Sequence, residues 1–321
     1  MMISPILMVF VLLSILIAFA IGGNDETFAT IYGAKTLTMK EVLILATIFA
    51  IMGAFFLGQA VSKTVGHDIL YIKITIPIVI TILVSTAIWL IISSYFELPI
   101  STTHATIGAI IGIGIFLGGA EGVNWLVIVE MALWWILSPI IGFIVTYFTY
   151  KMIHRFIINK LNSFQDFERI ERIFAYILLA SICLTAFSRA GNDCSNAVGI
   201  VVGVGNVDIN VLLFIAGLSF ASGILVLGRG VIKNLSKITE LHPSTAFSAE
   251  IPTAIILLIG TIRGIPLSGS HMIVASLVGL AKARNAPVKK GLWKIILIWL
   301  LTFPMAGVLA IIIYGPISLF F

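Results

Sequence analysis

Two polar motifs each occur twice in an otherwise apolar chain, and their side chains define the chemistry open to it. Gly23-Asn24-Asp25 recurs as Gly191-Asn192-Asp193, an offset of 168 residues. Leu98-Pro99-Ile100-Ser101-Thr102-Thr103-His104 recurs as Ile265-Pro266-Leu267-Ser268-Gly269-Ser270-His271, an offset of 167. Between them, Gly58-x-x-Val61-x-Lys63 matches Gly228-x-x-Val231-x-Lys233 at 170. Three matches in one order, at nearly one offset, indicate duplication of half the chain.

The serine motif supplies hydrogen-bond donors. Pro99 favours the first turn of a helix, which places Ser101, Thr102 and Thr103 where unpaired backbone N–H groups point outward. A helix amino end carries about half a positive charge and binds anions without a lysine. Plain N-capping needs one hydroxyl, but three stand here. The second copy keeps Ser268 and Ser270 and offers the Gly269 N–H. Such donors suit a small tetrahedral oxyanion.

The Asn-Asp motif brings the opposite charge. An aspartate within a membrane costs a few kcal/mol, so it needs a partner and a role. The glycine before it frees the backbone to unwind and offer carbonyls. Asp25 and Asp193 would repel an oxyanion unless cations sat between, held by carboxylate and backbone oxygens as hard ions prefer. An anion site that works only when cations fill it is a cotransporter.

The elements that must position these groups follow from composition. The 321 residues are 60% hydrophobic and 10% charged, with a mean hydropathy of +1.16; a soluble protein carries about 25% charged residues. The apolar surface must face lipid. Disorder and a disulfide scaffold are excluded, the latter by two cysteines. The net charge of +5 fits a basic excess in cytoplasmic loops, and no nucleic-acid-binding motif is present. Ile3 to Gly23 is long enough to remain as a span rather than a cleaved signal.

Charge-poor stretches of roughly 20 residues or more lie at 4–23, 42–62, 74–94, 98–118, 123–150, 173–203, 209–228, 244–262, 265–281 and 292–320. The chain is therefore an all-α polytopic protein of the cell membrane. Residues 1–150 form a first transmembrane repeat, 151–172 a polar cytoplasmic loop, and 173–321 a second repeat. With single crossings and the amino terminus outside, inner loops hold 14 lysines and arginines and outer loops 3, as the positive-inside rule requires. Five crossings per repeat invert the second half, and inverted repeats with broken or re-entrant helices at the midplane build transporters. A re-entrant serine motif would change the crossing number by one in each half, to be compensated elsewhere. Segment 173–203, about 46 Å as a helix, exceeds the ~30 Å core and is the candidate for a break.

Ala190-Gly191-Asn192-Asp193-Cys194-Ser195-Asn196-Ala197-Val198-Gly199, with Gly203 beyond, resembles the signature of the inorganic phosphate transporter (PiT) family. Leu98 to His104, followed by Gly108 and Gly112, is similar to that family's second signature, and the similarity covers nearly the whole chain. It implies a secondary transporter importing inorganic phosphate with sodium as coupling ion, no other cofactor, both termini outside, and homodimers. Some relatives carry sulfate or couple to protons. Asn24, Ser101, Thr102, Thr103, Asn192, Ser268 and Ser270 would contact phosphate, with the Gly269 backbone in its place. Asp25, Asp193 and Asn196 would hold sodium. The chain departs from the family at Phe28, where asparagine is usual, at Gly33, two positions early, and at Gly269, where threonine is usual. The first-half sodium site thus has one ligand fewer.

Two other classes fit parts of the pattern: an intramembrane aspartyl enzyme with Asp25 and Asp193 as a proton-sharing dyad, and a passive anion channel. Glu130 and Glu250 lie in apolar segments and are functional candidates by position, Glu250 with Arg189 as partner. His104 and His271 fix the hairpin or carry protons. Cys183 and Cys194 are small buried residues, and the Gly108/Gly112 and Gly199/Gly203 pairs let helices approach closely.

Overall fold

The computed structural model describes residues 5–95, 101–204, 208–237, 240–287 and 292–321. Leu98, Pro99 and Ile100 of the first serine motif, and Lys289 and Lys290 among the inner-loop cations, lie outside the described residues. The first half forms α1 (Pro5–Gly23), α2 (Ala29–Gly33), α3 (Met39–Lys63), α4 (Ile76–Tyr95), α5 (Thr102–Gly118) and α6 (Trp125–Phe156). The second forms α7 (Phe164–Val202), α8 (Ile209–Gly223), α9 (Arg229–Leu235), α10 (Pro243–Ile262), α11 (Gly269–Ala283) and α12 (Leu292–Ser318). Ten of these helices coincide with the apolar segments; the short α2 and α9 are additional. Among the described residues, eight helical stretches are long and apolar enough to cross a membrane, and the helices over 76–92 and 269–283 are shorter.

Two expectations about local structure are corrected. The polar stretch 151–172 is mostly helix ends, not loop: α6 runs to Phe156 and α7 starts at Phe164. Ser163 starts α7 by accepting from the Asp166 N–H, and charged helix ends reach past the hydrocarbon without unwinding. Nor does α7 break. Its 39 residues, about 58 Å at 1.5 Å per residue, pass through Gly191-Asn192-Asp193 as continuous helix, because the polar side chains there find partners in α7 itself or on the elements packed against it. The Ser195 hydroxyl bonds the Gly191 and Gly58 carbonyls, and Asn192 reaches sideways to other elements. The first copy does unwind: α1 ends at Gly23, and the chain resumes as helix at Ala29.

Close glycine contacts fix the helix directions. Without a hydrophobic drive between helices in lipid, small residues that let backbones meet do the packing. A methyl on Gly53 would lie 2.0 Å from the Phe187 carbonyl, and one on Gly66 2.3 Å from that of Gly199, so α3 and the stretch following it run parallel to α7. Ser219 donates to the Ile15 carbonyl and Gly223 meets Phe19, so α8 runs parallel to α1. Gln59 bonds Asn210 while Gly217 meets Ile51, so α3 and α8 are antiparallel. It follows that α7 is antiparallel to α1, its counterpart in the duplicated chain. The repeats are inverted.

Four further helices, α4 with α5 and α10 with α11, make two hairpins. Gly114 and Gly118 of α5 meet Leu70, Val123 and Ile72, at the face where α3 ends, so α4 and α5 enter and leave by that face. On the opposite face, Ser244 at the start of α10 bonds Glu171 near the start of α7. Arg284, just after α11, bonds the Glu240 carbonyl there. The two tips meet inside: Thr103 Oγ1 donates to the Leu267 carbonyl at 2.9 Å, and the His104 and His271 rings lie 4.7 Å apart. A hairpin of two helices returns to its own face, so no other element has to compensate. Each tip is pinned from the other repeat. α5 lies on α12 through Gly108, Gly112 and Gly307, and α6 on α11 through Gly142 and Gly279. Gly199 and Gly203 likewise seat α7 on Val65 and Gly66. The outward face of α6 exposes Leu126, Leu133, Ile140 and Phe148, at the spacing of one helical stripe.

Candidate functional site

The site lies where the unwound turn after α1, the middle of α7 and the two hairpin tips converge. Ser101 and Ser268 are the N-caps of α5 and α11, accepting from the His104 and His271 N–H groups. Each hydroxyl keeps its proton to donate. Both are buried, so two helix amino ends face the interior with their caps in place. Thr103 and Asn196 tie them together: Asn196 Nδ2 donates to Thr103 Oγ1 at 3.2 Å. Asn196 Oδ1 is buried and, among the described residues, has no hydrogen-bond partner; it is an acceptor that a cation would satisfy. Trp135 of α6 donates to the Pro266 carbonyl in the second tip, and His104 packs on Trp135 and His271 on Trp299. The histidines thus brace the tips, as one of the two sequence readings holds.

Beside the tips sits a buried charge cluster. Arg189 reaches Asp25 (Nε to Oδ1, 3.3 Å), Glu26 (Nη1 to Oε1, 2.9 Å) and Asp193 (Nε to Oδ2, 3.2 Å). Its Nη2 donates to Ser270 Oγ at 3.2 Å, and that hydroxyl donates to Glu26 Oε1 at 2.6 Å. Asp25 closes a local turn by accepting the Thr27 N–H and hydroxyl. Three carboxylates around one guanidinium leave two negative charges in excess when all four are ionised. Buried charge needs pairing, so this cluster favours cations and admits an anion only in their company.

The sequence-derived set is brought together unevenly. Asp25, Asp193, Ser270 and Gly269 converge on Arg189, and a methyl on Gly269 would lie 2.8 Å from its Nε. Thr102 is half-buried in the first turn of α5, and Asn24 is half-buried in the unwound turn. Asn192 is fully buried and its amide is occupied. Nδ2 donates to Thr261 Oγ1 and the Ile265 carbonyl, and Oδ1 accepts the Leu267 N–H at 2.9 Å. It straps the second tip to α7. Glu250 does not bond Arg189 as expected; it accepts the hydroxyls of Thr30 at 2.9 Å and Thr185 at 2.7 Å, joining the repeats below the cluster. Glu130 is exposed on α6, away from the site. Cys183 and Cys194 are free thiols. Glu26 was the residue sequence reasoning passed over. A second acid directly after Asp25, at the end of an apolar run, was the available signal.

A model of the phosphate transporter family matches residues 21–310. The chain belongs to the phosphate transporter family. It is similar over 99% of its length to a Pyrococcus furiosus protein provisionally named a phosphate permease, at 29% identity and covering 98% of that protein. It is 25% identical to the inorganic phosphate transporter 2-1, chloroplastic, of Arabidopsis thaliana, with 92% of this chain and 69% of that one covered. A solved structure described as the sodium-dependent phosphate transporter shares the fold, with a TM-score of 0.89 and 24% identity over 98% of this chain and all of that one. This phosphate transporter family member is thus an integral multi-pass membrane protein, not an enzyme. The aspartyl-dyad reading fails on geometry as well, because the Arg189 guanidinium bonds both Asp25 and Asp193 where a dyad would share a proton.

Proposed function

We propose that this chain imports inorganic phosphate coupled to sodium, by alternating access around the site between the hairpin tips. Phosphate would take hydroxyls and N–H groups from Asn24, Ser101, Thr102, Thr103, Ser268, Gly269 and Ser270, and from Asn192 once it releases one strap bond. Sodium would take oxygens of Asp25, Asp193 and Asn196. Residues 1–150 and 173–321 are the moving repeats, joined at 151–172 on the cytoplasmic side, in a homodimer in the cell membrane. One observation carries the reading: two capped helix amino ends meet beside a cluster whose carboxylates outnumber its guanidinium. Donors alone would suit a channel; the excess carboxylates call for cations moving with the anion.

Purified protein in liposomes tests it by labelled phosphate uptake with and without an inward sodium gradient, and with excess sulfate. Sodium-driven accumulation that sulfate does not compete supports the proposal. Accumulation driven by a proton gradient alone, or equal competition by sulfate, replaces the ion or the substrate. Equilibration without accumulation makes it a channel.

A further inference from the structure

Duplication gives the molecule an internal control. Every site position exists twice, so places where the copies differ show what one half does alone. Aligned on the Asn-Asp motif, Arg189 stands where the first half has Ile21, and Glu26 where the second has Cys194. Aligned on the serine motif, Gly269 stands where the first half has Thr102. Ile21 and Cys194 are buried and apolar. Arg189 and Glu26 instead bond each other across the repeats, and Gly269 leaves the room: a methyl there would lie 2.8 Å from Arg189 Nε and 3.0 Å from its Cζ. A threonine like Thr102 is incompatible with this pose. Three asymmetries therefore serve one arrangement. A single guanidinium, fixed to the chain, bonds the aspartates of both halves, and Glu26 and Ser270 hold its far edge.

We propose that Arg189 is a tethered cation that takes the place of one coupling sodium ion between Asp25 and Asp193. This rests on the sodium-coupled reading above and adds to it. The charge one sodium would bring on each cycle is carried permanently by the protein, so the chain works with one free cation fewer than its carboxylates would otherwise demand. A guanidinium is planar, always charged and able to bond several carboxylates at once, which suits it to a site with an acid on each side.

Liposome uptake of labelled phosphate as a function of sodium concentration tests the idea in wild type, Arg189→Gln, Arg189→Lys and Gly269→Ala. Arg189→Gln removes the fixed charge. Gly269→Ala keeps every charge and, by placing a methyl 2.8 Å from Nε and 3.0 Å from Cζ, forces the guanidinium to shift from this pose. In both, the Hill slope for sodium should rise by about one and half-saturation should move several-fold upward, with uptake restored at high sodium. Arg189→Lys should keep the wild-type slope. Should Arg189→Gln fail to fold, having left Glu26 without its partner, Gly269→Ala decides alone. Wild-type sodium dependence in Gly269→Ala, or a loss that high sodium does not restore, overturns the proposal. Wild-type uptake indifferent to sodium overturns the coupling reading itself, and the tethered cation falls with it.

Discussion

Replacing Asn192 by alanine cuts three bonds that hold the second hairpin tip to α7. The Leu267 N–H and the Ile265 carbonyl, both buried, lose a partner, at about 1–3 kcal/mol for each group left unpaired. The melting temperature of detergent-solubilised Asn192→Ala should fall clearly below wild type, and phosphate uptake should fall with it. A variant as stable as wild type would show that the strap does not hold the tip. Phe28 invites a different experiment on sequence grounds, since asparagine there would match Asn196. The structure removes that option: Phe28 is 1% exposed and among the largest fully buried side chains. Phe28→Asn should cost about 3–5 kcal/mol, as for Phe→Ala in a core, before any ion is read. The measurement is again thermal unfolding, and a cost under about 1 kcal/mol would leave position 28 open to an asparagine as a test of the missing ion ligand. At this scale the aspartates and serines were legible because charge and hydroxyls stand out in apolar runs. Arg189 and Glu26 were not legible as a pair, because the contact joins positions 163 residues apart and no local pattern records it.

Helix packing depends on glycines whose spacing the sequence shows but whose partners it hides. Gly53 sits against the Phe187 backbone, where a methyl would come within 2.0 Å of a carbonyl oxygen. Backbone cannot turn aside as a side chain can, so Gly53→Ala should separate α3 from α7 and destabilise by about 1–3 kcal/mol. Among the described residues, nothing lies within 4 Å of a methyl added at Gly230 in α9, and Gly230→Ala should be neutral or stabilise by up to about 1 kcal/mol through helix propensity. Thermal unfolding of the two in one detergent compares them; equal stability would mean that the α3–α7 contact is not tight. The ten apolar segments were readable because length and hydropathy alone mark a helix that must satisfy its own backbone in lipid. Where helices break was not readable. Gly-Asn-Asp unwinds α1 at Gly23 yet lies within continuous helix in α7, and the difference lies in what surrounds each copy. Around Asn192 the neighbouring hairpin takes up the side chain; after α1 the Asp25 carboxylate closes on Thr27 and holds the turn open.

Inversion constrains the whole molecule and has a direct test. The sequence carried it only as parity, through five crossings per half and the 14-to-3 division of basic residues, and parity fails if one crossing is miscounted. Direction read from contacts does not depend on that count. Because α3 runs parallel to α7 and antiparallel to α8, while α8 runs parallel to α1, the two halves must point opposite ways however many segments cross. The serine helices inherit this. α5 ends on the face where α3 ends, beside Leu70 and Ile72, whereas α11 ends on the face where α7 begins, with Arg284 bonded to Glu240. Ala120 and Asn285, just past the two helices, are both exposed, as is Ser163 between α6 and α7. With Cys183 and Cys194 replaced, single cysteines at Ser163 and Asn285 should react with a membrane-impermeant thiol reagent from one side. A cysteine at Ala120 should react only from the other. If the surplus of lysine and arginine on the Ser163 side follows the positive-inside rule, intact cells should label Ala120→Cys alone, and inverted vesicles the other two. Labelling of Ala120→Cys and Asn285→Cys from the same side would mean that the serine helices point the same way. The two helix amino ends could then not meet head to head across one site.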